Sequence, residues 1–300
     1  MKVLECKFPN AKWNILIVCG VHGNEHYAIK SCWHLYKRLK AKKGYEANVT
    51  FLFNVNETGI HYCNREWVDK SNPDNKDFNR AFGRPSEKFE DIVEKVKNVI
   101  GAPTSLNKDW NLVIDVHNSL FCAPCALIDY KRAQGGMYNF LKDFKLNPVC
   151  MPSTNKGTIK RYAYDVMGIP AVTLECGPME SLNEENDLYT DYIEKFLNSF
   201  IARETTATTP LDKASGLVNP KCVEKPLLTP FGRVIEWERF GADTIQGYYS
   251  KGEKICQIEA IGENRPDIWV IEAPCNLSII DVVSSTYAFE GDTLFNYVED

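Results

Sequence analysis

No stretch of the 300 residues comes near the ~20 consecutive apolar residues that a membrane helix needs. A basic excess is also missing: 35 Lys and Arg stand against 40 Asp and Glu, for a formal charge of −5. That balance argues against a nucleic-acid binder, whose affinity depends on a basic stripe. The opening Met1-Lys2-Val3-Leu4-Glu5-Cys6 lacks the long apolar core of a secretory signal. Eleven cysteines show no framework spacing, and several, such as Cys19, Cys150 and Cys176, sit inside apolar runs. Free thiols in a reducing cytoplasm are therefore expected, not disulfides. There is no internal repeat and no low-complexity segment. Histidine is scarce, five residues in all, so each can be weighed individually.

What is present is the composition of a globular protein, 44% hydrophobic and 25% charged. Trp13–Cys19 is a short apolar run, as for a strand buried on both faces. Ala28, Ile29, Cys32, Trp33, Leu35, Tyr36 and Leu39 then recur at helical spacing. Asn48–Val55, Asn111–His117, Ala126–Asp129 and Ala171–Glu175 read as strands. Phe89 to Ile100 and Leu188 to Phe200 carry helical stripes. Between them, 56–83 is a long polar stretch with little periodicity, the kind of loop that is often functional. This alternation implies an α/β domain with a mostly parallel or mixed sheet flanked by helices. A polar linker, Arg203-Glu204-Thr205-Thr206-Ala207-Thr208-Thr209-Pro210, marks a change of character. Beyond it Gly232–Arg239, Glu253–Glu259, Asp267–Glu272, Leu277–Val283 and Thr293–Val298 read as strands between turns. The expected division is 1–205, a catalytic domain, and 206–300, a small all-β domain.

The chemistry gathers at strand ends. His22-x-x-Glu25 lies where the first apolar run gives way to a helix, and open α/β sheets collect ligands at the carboxyl ends of their strands. His117 closes another strand. A His, Glu, His set gives three N/O ligands and leaves a fourth position, the catalytic zinc arrangement. Asp115, two residues before His117, faces the same side of its strand and is a candidate partner for the ring's other nitrogen; Asn118 is the alternative. Glu175 ends the run AVTLE, and burying a carboxylate there is costly without a task. A general base that passes a proton to a leaving amine fits. In the polar loop, Arg80 offers a planar fork to a substrate carboxylate and Asn79 adds a donor. Arg65 could face a carbonyl oxygen as it becomes an oxyanion. Lys160 and Arg161, with Tyr162 and Tyr164, are candidates for a second acidic group. Positive groups clustered in an acidic chain point to a small anionic substrate.

HGNE after a strand, DFNRAFG, DVHNS and TLECG, in that order, resemble the succinylglutamate desuccinylase/aspartoacylase family, relatives of the zinc carboxypeptidases. The motifs run over roughly residues 13–200. The resemblance implies a zinc-carboxypeptidase-like sheet with one zinc per chain on His22, Glu25 and His117, and Glu175 as general base. It implies Asn79 and Arg80 on the substrate carboxylate and an arginine, matched to Arg65, polarising the scissile carbonyl. It also implies Tyr287, lent to the site by the β domain. The implied reaction is hydrolysis of the amide of an N-acyl acidic amino acid. Two departures stand out: Asp77-Phe78-Asn79-Arg80 replaces the family's Asp-Leu-Asn-Arg, and the loop from Arg65 to Asn79 is long.

The blander readings are specific too. His26 and His34 fit a helix surface, and His61 has no assigned role. Cys122-x-x-Cys125 lacks the second pair of a zinc ribbon. The β region resembles lipoyl or biotinyl carriers, but the turn Ala273-Pro274-Cys275-Asn276 offers no lysine to modify, so it is read as a rim or cap for the cleft. A peptide carboxypeptidase or amidase would share the zinc chemistry. A non-catalytic zinc-binding homologue would need neither Glu175 nor Asn79 and Arg80. Homo-oligomerisation is left open by the sequence.

Overall fold

Apolar runs at five predicted positions pair with two further, unpredicted strands into one seven-stranded sheet. The computed structural model describes residues 1–69, 72–83, 90–101, 110–119, 124–129, 135–146, 148–151, 157–178, 188–206, 225–228, 232–237, 248–260, 268–282, 287–288 and 293–299. In chain order the first part contains β1 (Lys2–Cys6), β2 (Trp13–Cys19), α1 (His26–Ala41), β3 (Ala47–Phe53) and α2 (Glu57–Tyr62). A hairpin of β4 (Trp67–Asp69) and β5 (Asn72–Lys76) follows, then a 3-10 turn (Phe78–Arg80) and α3 (Glu90–Ile100). Next come β6 (Leu112–Ser119), β7 (Cys125–Asp129), α4 (Gly135–Asp143), β8 (Pro148–Met151) and α5 (Ile159–Arg161). A π-helical turn (Tyr162–Val166), β9 (Ala171–Pro178) and α6 (Leu188–Thr206) complete it. The sheet order is β1-β3-β2-β6-β9-β7-β8. It is parallel from β3 to β9 and antiparallel at β1 and between β9 and β7, hence mixed.

Side chains alternate across a strand, and here the alternation divides two cores. Ile15, Ile17 and Cys19 of β2 pack with α1, α4 and α6, through Leu35, Phe140 and Phe196 among others. Leu16 and Val18 join the second core on the other face, with Phe78, Val93, Val96, Ile159 and Ala163. β6 continues the rule: Leu112, Ile114 and Val116 face the first core and Val113 the second. Asp115 and His117 therefore lie on the second face. On β9, Val172, Leu174 and Cys176 face the first core and Ala171 the second, which puts Thr173 and Glu175 on the same side as His117.

The stretch 56–83 is not a plain loop: α2, the β4–β5 hairpin and the 3-10 turn occupy it. Its short elements carry too few residues to show a period. The hairpin accounts for the length between Arg65 and Asn79. Beyond residue 206, β10 (Lys225–Leu228), β11 (Gly232–Trp237), β12 (Tyr248–Tyr249), β13 (Lys254–Ala260), β14 (Ile268–Glu272), β15 (Leu277–Val282), β16 (Tyr287–Ala288) and β17 (Thr293–Glu299) follow. They form two four-stranded sheets, β10-β17-β15-β12 and β14-β13-β11-β16. The expected linker residues 207–210, Phe89 and Cys122 lie outside the described residues. No helix among the described residues is long and apolar enough to cross a membrane.

Candidate metal centre

The loop from β2 to α1 is held by close backbone packing. A Cβ on Gly23 would lie 1.9 Å from the carbonyl carbon of Gly59, so only glycine lets this loop rest against α2. The Gly23 N–H donates to the Arg65 carbonyl at 3.3 Å. The metal-ligand motif and the arginine's segment are thereby joined through the backbone.

His22, Glu25 and His117 come together, all three buried, as a group able to hold a metal ion. His22 Nδ1 is 2.7 Å from Glu25 Oε1, His117 Nδ1 is 2.8 Å from Glu25 Oε2, and the two Nδ1 atoms are 3.1 Å apart. A tetrahedral ion with bonds of ~2.0–2.1 Å would hold its donors roughly 3.3 Å from one another, so the three groups are near enough to share one. The outer nitrogens fix the tautomers. His117 Nε2 is 2.9 Å from Asp115 Oδ2, and His22 Nε2 is 3.2 Å from Asp77 Oδ1. A proton on each Nε2 leaves both Nδ1 lone pairs and the Glu25 carboxylate aimed at a shared point. A metal cation would satisfy three such acceptors together.

The electrostatics agree. Burial disfavours a charged His117, yet Asp115 and Glu25 outweigh it and hold its pKa well above that of an ordinary imidazole. Against burial likewise, Glu25 and then Asp77 raise His22. Burial would raise Glu25, but His117 and His22 hold it below the usual carboxylate range; Asp77 is held down against burial by His22, Arg80 and Arg65. The cluster is built to contain positive charge. Asp77 is the member that sequence reading left unassigned. It precedes the 3-10 turn and accepts from the Asn79 N–H at 2.8 Å, so in sequence it looks like a simple cap. Of the two residues considered for His117, Asp115 takes its ring nitrogen, while the Asn118 N–H approaches Glu25 Oε2 at 3.3 Å.

Glu175 is the register partner of His117 on the adjacent parallel strand, on the same face. Its neighbour on the other side is Cys125, a buried cysteine. Arg65 Nη1 reaches Glu25 Oε1 at 3.1 Å, with the side chain half exposed. Arg80 Nη1 donates to the Asn79 carbonyl at 3.0 Å, and the side chain is 43% exposed, open to a ligand. Asn79 is buried; its Oδ1 accepts from the Ile159 N–H at 3.0 Å and its Nδ2 lies 3.2 Å from Asp115 Oδ2. Behind Arg80, Gly157 has φ +103° and a Cβ there would lie 2.4 Å from the Arg80 carbonyl oxygen. Lys160 and Arg161 are buried on α5; Lys160 Nζ donates to the Leu127 carbonyl and Arg161 Nε to Asp165. Tyr287 lies on β16, paired with Arg233, and its side chain is outside the described ones. His26 is exposed, 3.2 Å from Cys63 Sγ, and the structure does not bring it to the ligand cluster.

The model of the succinylglutamate desuccinylase/aspartoacylase catalytic domain matches residues 11–200. The chain belongs to this family. Solved structures share the fold at low identity. A succinylglutamate desuccinylase/aspartoacylase from Rhodobacter sphaeroides is 17% identical with a TM-score of 0.70, over 99% of this chain and 88% of the other. An aspartoacylase family protein from Mesorhizobium loti is 16% identical, also at 0.70 and with the same coverage of 99% and 88%. The product-bound ectoine utilization protein EutE (DoeB) from Ruegeria pomeroyi is 16% identical at 0.66, over 97% and 86%. No curated protein matches the chain. For a desuccinylase/aspartoacylase-family chain, the mixed sheet and the three-donor cluster at its carboxyl edge are the parts the sequence motifs pointed to.

Proposed function

We propose that this chain is a zinc-dependent deacylase that hydrolyses the amide of an N-acyl acidic amino acid. The observation carrying the reading is the meeting of His22 Nδ1, Glu25 and His117 Nδ1 within 3.1 Å of each other beside Glu175. A divalent ion held by these three residues would supply Lewis acidity and acidify a water toward neutral pKa. The remaining roles belong to side chains. Glu175 takes a proton from the attacking water and returns it to the departing amine. Arg65 faces the carbonyl oxygen as its charge develops. Arg80 grips a substrate carboxylate through its planar fork. Lys160 and Arg161, on the adjacent α5, are the candidates for the amino-acid half. Residues 206–300 act as a separate domain rimming the cleft, with Tyr287 as its contribution.

The test is a mixed panel of N-acetyl, N-succinyl and N-formyl acidic amino acids, together with C-terminal peptides, incubated with the zinc-loaded protein. Release of a free acidic amino acid from one acyl class is the expected result. Cleavage confined to peptides would replace the reading with a carboxypeptidase. Full zinc occupancy without turnover of any compound would leave a metal-binding homologue.

A further inference from the structure

Asn79 stands where three elements meet, and both ends of its amide are engaged. A backbone N–H can only donate, so the 3.0 Å contact from Ile159 fixes Oδ1 as acceptor and turns Nδ2 toward β6. There Nδ2 is 3.2 Å from Asp115 Oδ2 and 3.3 Å from His117 Nε2. Two donors do not bond each other, so the Asp115 oxygen receives both the Asn79 amide and the His117 ring proton. Asp115 is fully buried, and its other oxygen, Oδ1, makes no hydrogen bond among the described residues. The carboxylate that orients His117 is therefore itself oriented through one oxygen, and Asn79 is the group that holds that oxygen from outside the strand. On its other side, Asn79 anchors the first residue of α5, the turn that carries Lys160 and Arg161.

We infer that Asn79 is a positioning residue: its amide locks the Asp115–His117 pair to the start of α5, so that metal affinity and the placement of Lys160 and Arg161 depend on one side chain. This rests on the deacylase reading above.

The test measures zinc affinity of the metal-free protein by competition with a chromophoric chelator, for the wild type and Asn79→Leu. Leucine keeps the volume and removes both hydrogen bonds. Loss of a group supporting a metal ligand weakens binding by roughly 10–100-fold. Asn79→Leu should show that loss, together with a changed visible spectrum of the cobalt-substituted protein. If Asn79→Leu does not fold, as judged by circular dichroism, Asn79→Gln carries the same measurement: its longer amide can satisfy Ile159 but not Asp115 as well. Wild-type affinity and an unchanged cobalt spectrum in the folded variant would overturn the inference. A wild-type protein that binds no divalent ion would instead remove the deacylase reading itself.

Discussion

Glu175 is where the chemistry is most exposed to test. Nothing in the ligand set needs it, since His22, Glu25 and His117 supply the three donors without it. Glu175→Gln should therefore keep the metal and lose ~10²–10⁴ in kcat, the range for a general base. Undiminished turnover in a fully loaded variant would take Glu175 out of the mechanism. His117 and Glu175 could be read from sequence because each sits at the end of an apolar run, where a polar side chain is conspicuous. Asp77 was legible as a type but not as a role. A carboxylate before a turn has an ordinary capping use, and the contact between Asn79 and Asp115 spans 36 positions of chain. No local pattern encodes such a pairing.

Among the elements, the pairing of α1 with α6 carries a pH-dependent contact. Arg38 of α1 and Lys42, which caps that helix, meet Glu194 of α6 at 3.2 and 2.7 Å. Burial would raise the Glu194 carboxyl, but Lys42 and then Arg38 outweigh it and hold the pKa below the usual carboxylate range. A lowered folded-state pKa gives stability that is present above the unfolded value and lost as pH falls through the folded one. Glu194→Gln should thus cost ~0.2–1 kcal/mol at neutral pH, and the gap to wild type should close below about pH 4. Urea unfolding at both pH values measures this; a gap that persists in acid would assign it to packing. The long helices and central strands were legible because a dozen residues of period 3.6, or a run of Val, Ile and Leu, leave a clear trace. β1, KVLEC, mixes charged and apolar residues without alternation over only five positions, and β8 opens on a proline. The three-residue α5 and the π-helical turn after it are too short for any period, yet they position Lys160 and Arg161.

At the scale of the whole molecule, the sheet order brings β2, β6 and β9 side by side although β7 and β8 intervene in sequence between β6 and β9. That order cannot be read from local patterning; only the strand-end residues hinted that these three edges converge. A metal bound among the buried charges they gather would be part of the stability. At a free-ion concentration of about 100 times Kd, binding adds ~2.7 kcal/mol, so calorimetry should give a zinc-loaded Tm about 5–10 °C above the metal-free one. Identical melting curves would mean that the ion does not bind the native state. The most direct test is the X-ray absorption spectrum of the zinc-loaded protein. A first shell of nitrogen and oxygen only, at ~2.0–2.1 Å, with the outer-shell scattering of two imidazoles, is the expected result. Sulfur at ~2.3 Å, or a shell without imidazole, would place the ion somewhere other than His22, Glu25 and His117.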